Sequence, residues 1–455
     1  MKVAINIDLS AAWGKFYEIA KKFRIEHFLL LYFAVHMLQI TFPSDGSKIF
    51  DEAHYVPASV STLEGVAANL EHPPLPKIIG AIGIALFGNN WFGWRFPQVL
   101  MQVMALYLFY LIAKRFLGDP WALGVTALLG LDTVFFIHGG ALLIDMPNFL
   151  FGFLAFELYF RKRYSWSALS MGLAFLAREM SIFYFLTLAV YHLAANRQAM
   201  KSALKTGLRY VVVSLLVFMI LLWIYDVRWE AYSATSVTRI VQRSVLVDSS
   251  GTPVTTMTTT QLSTSKEMIW NPAQHLLFIY RYHGPTGIVI KEPYRSYQYA
   301  WNWILPIHIS PTGTVTTDVL DAPTYFRVDV TVSSAKGIAR YSPIWYRAAA
   351  NPMLWYGVWL GVVGLFFAFR RIPDRLTSVI ISTGLLSNFI PWVVLSVATR
   401  RLGFNYYMIY TLPFVALAIG LFWKQIPKYG KLFSAIHIIA ALVYFIYAFP
   451  VRPMP

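Results

Sequence analysis

Runs of apolar residues dominate the pattern of this chain. Stretches near the roughly 17 to 25 residues that span a bilayer fall at about 25–42, 97–113, 121–137, 146–160, 165–177, 180–195, 208–225, 353–369, 376–398, 404–423 and 432–449. They predict about eleven crossings, the fifth and sixth of them short. The run from Ile78 to Phe87 covers only about ten residues and follows Pro73, Pro74 and Pro76. It predicts a helix lying at the membrane surface. The expected fold class is therefore an all-α polytopic membrane protein, with an N-terminal transmembrane module over 1–226 and a C-terminal one over 351–455.

Between Arg228 and Ala350 the texture changes. A Ser/Thr-rich stretch, SSGTPVTTMTTTQLSTS, reads as a flexible loop. The segment Met268–Tyr282 has helical spacing, and TVTTDVL and YFRVDVTV alternate β-branched residues. Together they predict a small mixed α/β outer loop domain over 227–350, and no internal repeat is evident.

Composition agrees with this class: 57% of the 455 residues are hydrophobic, 17% aromatic and 13% charged. The net charge of +16 needs no nucleic acid to explain it, because Lys and Arg gather beside anionic headgroups and on cytoplasmic span ends. With no cysteine, disulfides and thiolate metal sites are excluded. Lys15, Lys21, Lys22 and Arg24 precede the first apolar run without a small-residue cleavage site, which predicts a retained first span. If the N-terminus is cytoplasmic, 20 of the 38 Lys and Arg lie on inner segments and eleven in the long outer loop. Seven remain on short outer segments: Lys48, Lys77, Arg95, Arg178, Arg400, Arg401 and Arg452. The imbalance sets the orientation, and the exceptions call for a function.

The densest charge lies in the first outer loop, 43–96, where FDEAHY and EHPPLPK hold Asp51, Glu52, His54, Tyr55, Glu71, His72 and Lys77. Acids at a membrane face suit a general base that takes a proton from an acceptor hydroxyl. A lipid phosphate leaving as an anion needs cations, for which Lys77, Arg95, Arg178, Arg400 and Arg401 are candidates. Plainer readings stand beside these. Asp51 and Glu52 can cap the following helix. The two acid–histidine clusters can hold a divalent metal. Arg95, in WFGWRFP, can anchor at the interface, and Arg178–Glu179 can be a surface ion pair. Tyr294, Trp301, Trp303, Tyr406 and Tyr407 fit an aromatic belt as well as a sugar platform. A transporter would place its charges in mid-span, whereas here they gather at span ends.

These segments, in this order, resemble the dolichyl-phosphate-mannose protein O-mannosyltransferase family of the GT-C glycosyltransferases. DEAHY is similar to the family's DE motif, EHPPLPK to its HPPL-type element, and WRFPQVL to its arginine-bearing second-span entry. ALLIDMPNFLF, with Asp145, resembles the LLDP-like start of a later span. EPYRSYQYAWNWILP resembles the HPYxSxWWxWP element, with Glu292 where histidine is usual, and RRLGFNYYMIYTLPF the closing aromatic and Leu-Pro motif. The resemblance runs from about residue 25 to 423. It implies a GT-C fold and an inverting transfer of mannose from a polyprenyl phosphate to Ser or Thr of a protein on the outer membrane face. Transfer to a lipid or glycan, as in the aminoarabinose transferases, is the alternative. It also implies Asp51 as the base or the acceptor-orienting carboxylate with Glu52 as its partner, Arg95 on the donor phosphate, and a pocket shaped by His72, Asp145 and the Arg295–Trp303 element. No cofactor is implied beyond the lipid-phosphate sugar. Without repeats of the β-trefoil kind, the chain fits an archaeal or other prokaryotic member, multi-pass in the plasma membrane.

Overall fold

The computed structural model describes residues 23–44, 46, 48–234, 240–247, 253–260, 266–268, 271–283, 299–305, 308–309, 315–316, 328–329, 344–346, 348–370, 375–398, 403–426 and 428–453. Helices α1 (Ile25–Gln39), α2 (Glu52–Leu63), α3 (Leu75–Phe87), α4 (Trp91–Leu117), α5 (Trp121–Gly130), α6 (Thr133–Gly139), α7 (Asp145–Phe160) and α8 (Tyr164–Ala177) form the first half. After them come α9 (Ser181–Ala195), α10 (Met200–Arg228) and α11 (Pro272–His283). The C-terminal part holds α12 (Pro352–Trp355), α13 (Val358–Phe369), α14 (Arg375–Ala398), α15 (Leu412–Lys424) and α16 (Gly430–Tyr447).

Helix covers every predicted apolar run, but not every run is one straight crossing. Among the described residues five helical stretches are long and apolar enough to cross a membrane: Trp91–Leu117, Arg197–Arg228, Pro352–Phe369, Arg375–Ala398 and Gly430–Tyr447. The run at 121–137 is the bent pair α5–α6, whose axes differ by 73°. The run at 404–423 opens as a 3₁₀ turn over Asn405–Tyr410 before α15 begins. The shorter apolar helices α1, α3, α9 and α15 span 13 to 15 residues each. The protein is an integral membrane protein.

Local chemistry explains the ends of these elements. At the start of α4, the Asn90 carboxamide oxygen accepts from the amides of Phe92 (2.9 Å) and Gly93 (3.1 Å). Its end is set by Gly118 at φ +76°, a left-handed value that suits glycine, with Lys114 and Arg115 in the last turn against the helix dipole. The break in α5–α6 is held by Asp132. One carboxylate oxygen accepts from the Phe135 amide (2.8 Å), the other from the Asn351 amide (3.0 Å) and the Trp355 indole (2.8 Å). Asn351 in turn donates to the carbonyls of Leu131 and Ala441, so the break is tied to both α12 and α16.

Helix α15 runs through the core, with every side chain from Leu412 to Leu421 buried. Gly361 and Gly364 of α13 let the two helices approach closely, since a Cβ on Gly361 would lie 2.6 Å from that of Ala418. The first loop is stitched to the segment after α10: Val66–Ala67 pairs in parallel with Glu230–Ala231, and the Trp229 indole donates to the Thr62 carbonyl (2.7 Å). Helix α11 docks on the same loop through His275, which bridges Asp226 (2.7 Å) and the Leu70 carbonyl (3.1 Å). The helical segment expected at Met268–Tyr282 is thus present as α11. Strands 240–247 and 253–260 pair antiparallel, so part of the Thr-rich stretch read as a flexible loop is a hairpin.

Candidate functional site

The two acids of DEAHY part company. Asp51 occupies the N-cap position of α2 but makes no capping hydrogen bond with its side chain. Glu52 turns the opposite way and is fully buried. Its carboxylate accepts from the guanidinium of Arg95 through two bonds of 2.9 Å, from the Ile49 amide (2.8 Å) and from the Leu142 amide (3.0 Å). The remaining Arg95 nitrogen donates to the carbonyls of Ile40, Phe42 and Pro43. Arg95 is therefore neither an interfacial anchor nor a cation open to a donor. With Glu52 it forms the post on which the first loop stands. Such a pair tolerates joint replacement better than the loss of one partner. Arg95→Met is expected to cost about 3–5 kcal/mol, and Glu52→Gln combined with Arg95→Met less than the two single losses together, as read from detergent-solubilised unfolding.

Lys77 is also fully buried, its ammonium donating to the carbonyls of Asn69 (2.5 Å) and His72 (2.7 Å). It shapes the loop from within and does not reach a cavity wall.

With Glu52 fixed, Asp51 faces a cavity of about 290 Å³, at the small end of ligand pockets. His54, Tyr55, Glu71 and His72 line it from the first loop, Asp145 and His138 from the α6–α7 corner, Arg178 from the α8–α9 turn, His283 from α11, and Phe404, Tyr406 and Tyr407 from the segment before α15. Asp145 is the hub of the floor: it accepts from His138 Nδ1 at 2.6 Å, from the Arg178 guanidinium and from the Tyr410 hydroxyl. The bend between α5 and α6 is what delivers His138 to this point. Arg178 is not a surface pair partner; it is 4% exposed, and its guanidinium lies over the rings of Tyr410 (5.2 Å) and Tyr407 (5.8 Å). Tyr406 stacks on Phe404, and Tyr407 on Trp392 at 4.3 Å, so the aromatic wall is held by packing.

Electrostatics set the two acids at the rim apart. Burial raises the Asp51 carboxyl above its ordinary value, against the opposing pull of His54, His72, His138 and Arg178. Burial acts the same way on Glu179, but His72, Arg178 and His283 around it reverse the effect and hold it well below the carboxylate range.

Of the residues singled out in the sequence, Asp51, His54, Tyr55, Glu71, His72, Asp145, Arg178, Tyr406 and Tyr407 meet at one cavity. Glu52, Arg95 and Lys77 support it from behind. Trp301 and Trp303 do not line it; Trp301 stacks on Tyr299 (4.7 Å), and Trp303 is buried toward Phe389. Tyr294, Arg295, Arg400 and Arg401 lie outside the described residues. Sequence reading missed His138, Phe404, His283 and Tyr410. A lone histidine inside an apolar run, FFIHGG, was the available signal for His138; His283 carried none.

A family model described as dolichyl-phosphate-mannose-protein mannosyltransferase matches residues 71–225. The polyprenol-phosphate-mannose–protein mannosyltransferase of Mycobacterium tuberculosis is 38% identical over 120 residues, covering 24% of this chain and 22% of that protein. The enzyme of the same name from Mycolicibacterium smegmatis is 35% identical over 128 residues, covering 26% of this chain and 25% of that protein. The matched stretch thus spans at most a quarter of these relatives. Among solved structures, the protein O-mannosyltransferase Pmt1-Pmt2 complex of S. cerevisiae bound to the sugar donor is similar with a TM-score of 0.63 and 10% identity, over 94% of this chain and 90% of that one. ArnT from Cupriavidus metallidurans bound to undecaprenyl phosphate is similar with a TM-score of 0.54 and 15% identity, over 91% of this chain and 64% of that one. At these identities the structural likeness is one of fold.

Proposed function

We propose that this chain, whose residues 71–225 match the dolichyl-phosphate-mannose-protein mannosyltransferase model and whose fold is similar to that of Pmt1-Pmt2 and ArnT, is a member of that family and moves mannose from a polyprenyl phosphate to Ser or Thr hydroxyls of proteins. The observation that carries this reading is the convergence of Asp51 and Arg178 on one cavity. The reaction is a single displacement with inversion. Asp51 takes the proton of the acceptor hydroxyl as its oxygen bonds to the anomeric carbon. The bond from that carbon to the phosphate oxygen breaks on the opposite face, and the lipid phosphate departs as an anion.

Arg178 is the described cation for that phosphate. Its planar fork suits phosphate oxygens, and Asp145, Tyr407 and Tyr410 fix its orientation. Arg400 and Arg401 remain candidates for the same anion. Arg95 and Lys77 act indirectly, by holding the loop that presents Asp51. Tyr406, Tyr407 and Phe404 offer ring faces to the sugar, and His72, His54, Tyr55 and Glu71 border the acceptor side. The site works on the extracytoplasmic face of the plasma membrane, with the N-terminus cytoplasmic. The predicted inner basic residues at helix ends away from the cavity support this orientation: Lys114 and Arg115 close α4, Arg161 follows α7 and Lys424 ends α15.

The test is incubation of purified protein in lipid nanodiscs with polyprenyl-phosphate mannose and either Ser/Thr peptides or glycan acceptors. Mannosylated peptide supports the reading. Product on a lipid or glycan alone favours the neighbouring GT-C chemistry, and no hexose transfer at all refutes it.

A further inference from the structure

One cluster at the rim of the cavity takes no part in the displacement. His72 of the first loop, Glu179 of the α8–α9 turn and His283 at the end of α11 each bring one ligand atom within 4.8 Å of the others. His72 Nδ1 lies 3.6 Å from one Glu179 oxygen, and His283 Nε2 lies 3.9 Å from the other. The two imidazole rings are 4.9 Å apart. Two buried atoms of the cluster, His72 Nδ1 and Glu179 Oε2, face each other at 3.6 Å, too long for a good hydrogen bond, and a cation between them would satisfy both more fully.

We propose that His72, Glu179 and His283 form a binding site for a divalent transition metal of the zinc type. Two imidazoles and one carboxylate are the donor set such an ion prefers, whereas magnesium and calcium favour oxygen ligands throughout. Around a tetrahedral ion with bonds of about 2.0–2.1 Å, neighbouring ligand atoms lie roughly 3.3 Å apart. The observed 3.6 and 3.9 Å separations need only small side-chain rotations to reach this. His283 Nε2 meets the Glu71 carbonyl at 2.8 Å, a contact it gives up when it turns its lone pair to the ion. The His72 carbonyl is held by Lys77, so the residue is positioned from its backbone side.

Three protein ligands leave a fourth position for water or another oxygen ligand. The three belong to segments far apart in the chain, so the ion clamps α11 and the turn carrying Arg178 onto the catalytic loop. The site stands independently of the mannosyl-transfer reading.

The experiment uses full-length protein in detergent, stripped with EDTA, reloaded with zinc chloride and desalted. Mass spectrometry of elements is expected to find about one zinc per chain. Zinc, and not magnesium, is expected to raise the unfolding temperature of wild type. His283→Ala is expected to weaken zinc binding at least about 100-fold, since losing a ligand costs no less than losing its outer-shell support. Glu179→Gln keeps the side-chain volume and gives the same readout should His283→Ala fail to fold. Zinc retained equally by the variants, no stoichiometric zinc in wild type, or equal stabilisation by magnesium would each overturn the assignment.

Discussion

Replacing Asp51 by asparagine is expected to lower mannosyl transfer by about 10²- to 10⁴-fold, the range a positioned general base supplies, while donor binding changes little. The amide keeps the shape of the side chain but cannot accept the acceptor's proton. Single-turnover rates measured beside donor affinity separate the two effects, and unchanged turnover would refute the assignment. The raised proton affinity of Asp51 adds a pH signature. A base must be ionised, so the acid limb of kcat/KM is expected above the range of an ordinary exposed carboxylate. Stability runs the other way. Between the ordinary value and the raised one, the folded protein holds a proton that the unfolded chain has released. Stability therefore falls as pH rises through that window. Asparagine removes this penalty, and at neutral pH the variant is expected to unfold at a slightly higher temperature than wild type. A variant that is both inactive and more stable distinguishes a strained catalytic acid from a structural one.

Arg178→Gln is the second large effect, with an expected loss of order 10²- to 10³-fold in transfer, the usual cost of deleting a preorganised charge contact. Here donor affinity falls as well, because the phosphate is anionic before and after the bond breaks. Arg178→Lys is expected to recover part of the affinity but less of the rate, since a point charge replaces a planar fork. Asp145 keeps His138 and Tyr410 when the guanidinium is lost, so the floor of the cavity persists. Equal donor binding by wild type and Arg178→Gln would move the phosphate contact to Arg400 and Arg401.

Much of this architecture is written plainly in the chain. Period and length of the apolar runs are local properties, so helices appear wherever they were expected. Crossing number is less local. The bend at Asp132 depends on Asn351 and Trp355, which lie more than two hundred positions away. The site divides the same way. Asp51, His72, Asp145 and Arg178 drew notice because polar groups beside apolar runs are costly. Their division of labour was hidden: nothing in DEAHY says that Glu52 faces Arg95 and Asp51 the cavity. Cations that defied the charge bias were read as phosphate ligands, yet two of them, Arg95 and Lys77, spend their donors on carboxylate and carbonyls inside the fold. A net charge count cannot tell an inward-turned guanidinium from an outward one.

The seat of Arg178 between two tyrosine rings has a consequence for how substrate affinity responds to the medium. A guanidinium resting on aromatic faces has already shed most of its hydration shell, so an arriving anion has little water to displace from it. Mobile counter-ions screen such a recessed charge poorly. On the proposed reading, capture of the lipid phosphate at Arg178 is expected to depend little on the salt concentration of the surroundings.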